Sequence, residues 1–319
     1  MSQHLLVTGG AGFIGANFIS YILRYTDYHV TNVDVLSYAG DIGNISDFQH
    51  SSNYRFIKSD ITKSYELLAA FDKKYDAIIN FAAESHVDRS IHNAVPFIYS
   101  NINGTFNLLQ MVLKGKAKKM IQISTDEVYG SLSSNDLPFT EETPLAPNNP
   151  YSASKASADL LVRSYYQTHQ LPLIITRCSN NYGPLQHTEK FIPKIITNAL
   201  NNKEIPLYGD GLNIRDWIYV EDHCRAIHLV LEKGVAGQIY NIGGAEEKTN
   251  RDVIYEILKQ LGRDKSLIKY VEDRKGHDRR YAIDSSKITK ELGWKPRIPF
   301  NKGIQHTIEW FKQRQNGAR

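Results

Sequence analysis

Leu5-Leu6-Val7-Thr8-Gly9-Gly10-Ala11-Gly12-Phe13-Ile14-Gly15 runs from an apolar stretch through a glycine cluster into residues spaced for a helix. The start reads as a strand, and Phe13, Ile14, Phe18 and Ile22 then place apolar side chains on one helical face. Glycines at such a junction permit a tight turn and let a pyrophosphate approach the backbone. The helix N-terminus behind them supplies partial positive charge. Gly10, Gly12 and Gly15 satisfy the dinucleotide fingerprint, and Gly9, Gly12 and Gly15 satisfy a looser form of it. A second strand, His29 to Val35, carries Asp34 where an acidic residue should meet the adenosine ribose. Its carboxylate would accept hydrogen bonds from the ribose hydroxyls and repel a 2′-phosphate, so NAD is the expected cofactor rather than NADP.

Further strand-like runs at Tyr54 to Asp60, Asp76 to Ala83, Lys119 to Thr125 and Leu173 to Arg177 alternate with helical stretches at Ala94 to Leu113, Ser152 to His169 and Phe191 to Leu200. This alternation predicts an α/β fold: a Rossmann-type, doubly wound parallel sheet with a smaller C-terminal substrate domain. Residues 1–180 are expected to form the NAD-binding domain, completed by part of 216–244, and residues 181–319 the substrate domain. Ligands on such sheets bind at the carboxyl ends of the strands. Gly9, Asp34, Asp60, Ala82-Ala83-Glu84, Ser124-Thr125-Asp126-Glu127 and Cys178-Ser179-Asn180 all fall there.

Tyr151 and Lys155 stand four apart on a predicted helix, which puts both on one face. A nearby ammonium favours the phenolate, so Lys155 is expected to lower the Tyr151 pKa from about 10 and make it a base near neutral pH. Tyr255 and Lys259 repeat the spacing without such a context and read as an ordinary amphipathic helix. A dehydrogenase needs only the tyrosine and lysine to move a hydride and a proton. The adjacent Asp126 and Glu127, preceded by Thr125, imply a second reaction such as elimination.

The composition, 41% hydrophobic and 23% charged in 319 residues, is that of a globular protein, and a net charge of +4 without long basic runs gives no nucleic-acid face. The early apolar run is broken by glycines, so neither a leader nor a membrane span is expected, and the cytoplasm is the default location. Cys178 and Cys224 lack metal-ligand spacing and fit a reducing compartment as buried small residues. No metal is expected.

With these residues the chain resembles the extended short-chain dehydrogenases/reductases, and within them the dTDP-glucose 4,6-dehydratase family, almost end to end. The resemblance rests on the glycine loop, Ser37-Tyr38-Ala39-Gly40, Ala82-Ala83-Glu84-Ser85-His86-Val87-Asp88-Arg89-Ser90, Asn101-Ile102-Asn103-Gly104-Thr105, Ser124-Thr125-Asp126-Glu127-Val128-Tyr129-Gly130, Tyr151-Ser152-Ala153-Ser154-Lys155, Arg177-Cys178-Ser179-Asn180-Asn181-Tyr182-Gly183-Pro184 and Ile214-Arg215-Asp216-Trp217. It implies a redox-neutral conversion of a nucleotide sugar. Tyr151 takes the C4 hydroxyl proton with help from Thr125 and Lys155, Glu127 removes the C5 proton, and Asp126 protonates the leaving C6 hydroxyl. It also implies that Gly9, Gly12, Phe13, Ile14, Gly15, Asp34, Asp60, Ile61, Ala82, Ala83, Ser85, Ser124 and Ser179 line the cofactor with Tyr151 and Lys155. The same resemblance assigns substrate contacts to Ser85, His86, Thr125, Asn180, Lys190, Lys194, Leu207, Tyr208, Arg215, Asn250, Arg274 and His277, and a homodimer built on two long helices. The bland alternatives are exposed positions for His86 and Lys190 and a structural ion pair for Arg215-Asp216. A nucleotide-sugar 4-epimerase or a UDP-glucuronate decarboxylase would need no Asp-Glu pair; a 4,6-dehydratase of a GDP- or UDP-linked sugar would often differ at Asp126, and the GDP branch would usually use NADP, which Asp34 disfavours; a non-catalytic relative would have lost the tyrosine, the lysine or the acids.

Overall fold

The computed structural model describes residues 2–273, 277–315 and 317. Its strands are β1 (His4–Thr8), β2 (His29–Asp34), β3 (Tyr54–Lys58), β4 (Ala77–Asn80), β5 (Met120–Thr125), β6 (Leu173–Cys178), β7 (Asn180–Tyr182), β8 (Ile205–Tyr208), β9 (Ile214–Tyr219), β10 (Ile239–Ile242), β11 (Glu247–Thr249) and β12 (Ile268–Val271). Seven of them form one parallel sheet in the order β10-β6-β5-β4-β1-β2-β3. The winding reverses between β1 and β4, and a crevice opens there at the carboxyl ends.

The sheet is covered on both faces, so its central strands are buried throughout and read as unbroken apolar runs. Alternation along β1 divides the core. Leu5 and Val7 pack with Phe18 and Ile22 and with Ile227 and Val230 of the helix Val220–Lys233. Leu6 points the other way, into a cluster with Leu108, Leu109 and Val162. A separate cluster containing Ile192, Ile196, Trp217, Ile254 and Ile308 joins the helices Phe191–Leu200, Asn250–Leu261 and Phe300–Gln315 to the small sheets β11-β9-β7 and β12-β8.

Of the segment 216–244, β10 rejoins the main sheet beside β6, while β9 pairs with β7 and β11. The helix expected over 94–113 is divided: Val95–Phe97 leads into a π turn, Ile98–Asn103, before Gly104–Leu113. The cause lies at Asn101. Its side chain accepts from the Glu84 N–H (2.9 Å) and donates to the Glu84 carbonyl (3.0 Å) and to Ser154 Oγ (2.8 Å), tying the helix to the loop after β4. π turns recur where a helix must aim a side chain at a functional loop. The helix bearing Tyr151 starts where its caps dictate, with Asn149 and Ser152 forming a reciprocal capping box and Pro150 in the first turn.

Candidate active site

A cavity of about 840 Å³ follows the carboxyl ends of the main sheet. Of the residues predicted to hold the cofactor, Gly9, Gly12, Phe13, Ile14, Gly15, Asp34, Asp60, Ile61, Ala82, Ala83, Ser85, Ser124, Tyr151, Lys155 and Ser179 all line it. Gly9 has φ +71°, and a Cβ there would lie 2.5 Å from the Ala82 nitrogen, so the β1 turn can pass this close to the β4 loop only as glycine. Gly15 lets the first helix meet that turn, since its Cβ would lie 2.4 Å from the Gly9 carbonyl oxygen. Asp34 closes β2, accepting from the Ala11 N–H (2.9 Å) and the Leu36 N–H (2.8 Å). Its position beside the loop suits ribose hydroxyls. The buried hydroxyls of Tyr38, Ser59, Ser124 and Ser179 have no hydrogen-bond partner, although all four residues line the cavity. Such orphaned donors mark a place for a polar ligand, and a dinucleotide fits the donor set, the glycine approach and the acidic strand end together.

Thr125, Asp126 and Glu127 stand where β5 ends, with Thr125 capping the short turn Asp126–Tyr129. Its hydroxyl contacts Asp126 Oδ1 at 3.2 Å and accepts from the Glu127 N–H. Asp126 is almost wholly buried, and burial, then the neighbouring Glu127 and Asp216, push its carboxyl far above the usual carboxylate range. Burial raises Glu127 as well, and Arg215 and Lys190 oppose that rise only in part. The two carboxyls therefore occupy unlike environments, Asp126 among acidic neighbours and Glu127 beside two cations.

Tyr151 behaves differently from expectation. Burial, followed by the charge of Glu127, drives its phenol well above 10, and only the Thr125 hydroxyl opposes this appreciably. Burial outweighs the neighbouring Lys155, which burial itself depresses and whose ammonium donates to the Ile123 carbonyl at 2.6 Å.

The predicted substrate residues fall into two groups. Ser85, Thr125, Asn180 and Lys190 line the cavity, with Lys190 Nζ donating to the Ser85 carbonyl at 2.9 Å. His86 lies beside Glu189 at 3.6 Å, and Lys194 is exposed. Leu207, Tyr208, Arg215, Asn250 and His277 gather instead around the small sheets: Asn250 N–H donates to the Asn213 carbonyl, Asn213 and Arg215 both donate to the Asp278 carbonyl, and His277 bonds Asp273. Arg215 is buried over the Tyr281 ring, 4.4 Å from its centre, and its charge reaches Glu127 and Asp126. It is not an ion pair with Asp216, which accepts from the Gly244 and Glu246 N–H groups. Arg274 lies outside the described residues. Tyr255 and Lys259 sit on the amphipathic helix Asn250–Leu261, as expected.

Sequence reasoning missed the far wall of the cavity, where Trp310, Phe311 and Arg314 of the last helix stand and Arg314 reaches Asp41 at 3.5 Å. No local motif signals this, because the contact joins the two ends of the chain. It also missed the pair Asp159 and Arg177, both buried, behind Lys155.

The GDP-mannose 4,6 dehydratase family model matches residues 6–307. The low-salt glycan biosynthesis protein Agl12 of Haloferax volcanii is 50% identical over 96% of this chain and 98% of its own length. The dTDP-glucose 4,6-dehydratase of Salmonella typhimurium is 49% identical over 96% of this chain and 92% of its own. Among solved structures, the dTDP-glucose 4,6-dehydratase of Bacillus anthracis in complex with NAD superposes with a TM-score of 0.92 at 49% identity, covering 99% of this chain and 98% of that one. Matching so much of the chain, and meeting an acid pair and a dinucleotide cavity already in place, these likenesses identify it as a member of the extended short-chain dehydrogenases/reductases: an NAD-dependent nucleotide-sugar 4,6-dehydratase.

Proposed function

We propose that the substrate is dTDP-glucose and the product dTDP-4-dehydro-6-deoxy-glucose. The names of the relatives from Salmonella typhimurium and Bacillus anthracis support the nucleotide and sugar. The observation that carries the mechanism is the asymmetry of the acid pair, with buried Asp126 favoured as a neutral acid and Glu127 held beside Arg215 and Lys190. NAD⁺, when bound, accepts hydride from C4 and returns it at C6. Tyr151, as its phenolate, receives the C4 hydroxyl proton, with the Thr125 hydroxyl donating to its oxygen and the Lys155 charge behind it favouring that form. The C4 ketone acidifies the C5 hydrogen. Glu127 removes that proton, Asp126 gives its own to the C6 hydroxyl, and water leaves. Glu127 then returns a proton to C5.

Ser85, His86 and Asn180 are assigned to the sugar and diphosphate, with Lys190 and Lys194 nearby. Leu207, Tyr208, Arg215, Asn250, Arg274 and His277 are assigned to the nucleotide, Arg215 as the phosphate anchor because a guanidinium can hold phosphate bidentately. On this reading residues 1–180 carry the cofactor and 181–319 the nucleotide. A cytoplasmic homodimer completes the proposal. It is supported by two free buried cysteines and by exposed Val95, Ile98, Tyr99 and Leu160 on the paired helices. Among the described residues, no helix is long and apolar enough to cross a membrane.

The mechanism is tested by separating its steps. In Glu127→Gln, solvent exchange at C5 is expected to disappear while oxidation at C4 persists; Tyr151→Phe is expected to suppress both. Equal loss of both steps in Glu127→Gln, with fold and cofactor retained, would sink the division of labour.

A further inference from the structure

Asp159 lies one helical turn beyond Lys155 on the same face of the helix Pro150–His169, and both are buried. Its Oδ2 accepts from Arg177 Nε of β6 at 2.9 Å. The Arg177 guanidinium rests on the Tyr129 ring, 4.8 Å from its centre, and Tyr129 is fixed by a 2.8 Å bond to Asn241. Asp159 Oδ1 accepts no hydrogen bond of good geometry, and the Ser124 hydroxyl is directed at the same carboxylate. A buried ion pair is costly to desolvate and is easily replaced by apolar packing. One set behind a cavity-lining lysine, a single helical turn away from it, invites a role beyond stability.

We propose that Asp159 is a positioning residue for the C4 oxidation: its carboxylate, clamped by Arg177, keeps the buried Lys155 ammonium charged behind Tyr151. The proposal rests on the role given to Tyr151 and Lys155 above. Lys155 needs such a partner. Its own helix contributes Tyr151 and Asp159; the end of β5 and the turn after it contribute Ser124, Asp126, Glu127 and Tyr129; β6 contributes Arg177 and Cys178. Asp126 is pushed toward its neutral acid, first by burial, and the Cys178 thiol is pushed up to about 12, again by burial. Glu127 faces Tyr151, Arg215 and Lys190. Asp159 is the acidic group that counters the burial of Lys155, which otherwise favours the neutral amine. Arg177 in turn opposes the burial that raises the Asp159 carboxyl.

The direct test is an NMR titration of the Lys155 ε-methylene in the holoenzyme, labelled with ¹³C and assigned by the loss of its signal in Lys155→Met. Asp159→Asn is expected to move the lysine's deprotonation at least about one pH unit toward acid, a tenfold change in the charged fraction above the midpoint. The pH at which C4 oxidation reaches half its maximum should move toward alkali in parallel, and Asp159→Glu should restore both. Because Asp159→Asn strands Arg177 in the core, the pair Asp159→Asn with Arg177→Met removes both charges. That protein is expected to regain stability yet keep the displaced lysine titration, whereas a merely structural role would recover both. An unchanged Lys155 titration in either variant overturns the proposal. Undiminished C4 oxidation in Tyr151→Phe would instead overturn the reading on which it rests.

Discussion

Asp126 shows how the site trades stability for chemistry. Its folded-state proton affinity is raised by burial and by Glu127, so at neutral pH folding keeps a proton on a group that would be ionised in the unfolded chain. The cost is absent below the ordinary carboxylate range and grows as pH rises from about 4 toward the raised value. Asp126→Asn is therefore expected to melt higher than the parent at pH 7, with the advantage vanishing as the pH approaches 4. The same variant should lose water elimination by about 10²–10⁴-fold while C4 oxidation and C5 exchange persist. Thermal melts across pH and product analysis check the two halves; a variant no more stable at pH 7 would mean that Asp126 is not held neutral. The acidic pair, the tyrosine and the lysine were legible from the sequence because each is a residue type at a diagnostic spacing. Their proton affinities were not, since these depend on burial and on Arg215 and Lys190, which reach the site from distant parts of the chain. The net rise at Tyr151 has the same origin, burial outweighing the neighbouring lysine.

The element that most shapes the cavity is the interrupted helix beside it. A continuous helix over 94–113 satisfies the apolar spacing, and nothing in local propensity announces the π turn at Ile98–Asn103. Its reason is tertiary: the Asn101 side chain completes the backbone bonding of Glu84 and meets Ser154 near the head of the Tyr151 helix. Asn101→Ala is expected to cost about 1 kcal/mol by leaving a partly buried backbone N–H and C=O without their side-chain partner. Cofactor affinity should fall with it, because Ala82, Ala83 and Ser85 flank the loosened loop and line the cavity. Calorimetric melts and NAD titrations check this; unchanged NAD affinity alongside lost stability would confine Asn101 to the fold. The glycine loop and the capped start of the Tyr151 helix were legible because their signals lie within a few residues.

At the scale of the whole molecule, the parallel sheet followed from its alternating strands and helices. The partition of later strands between sheets did not, because short strands carry no mark of the neighbour they choose. Residues far apart in sequence meet at the cavity, Arg314 with Asp41 being the longest reach. The proposed dimer belongs to this scale too. Ile98→Glu places a charge on an exposed apolar face, where Ile98 is 51% accessible, and is expected to yield monomers by light scattering. A parent protein that is itself monomeric would contradict the assembly.

The central claim is tested most directly by incubating the purified protein separately with dTDP-glucose, UDP-glucose and GDP-mannose in heavy water and following the products by NMR. The account predicts a 4-keto-6-deoxy sugar bearing deuterium at C5, formed from dTDP-glucose alone. The same product from another nucleotide alone would keep the mechanism and replace the substrate; an epimer, a pentose or no turnover despite bound NAD would contradict the account.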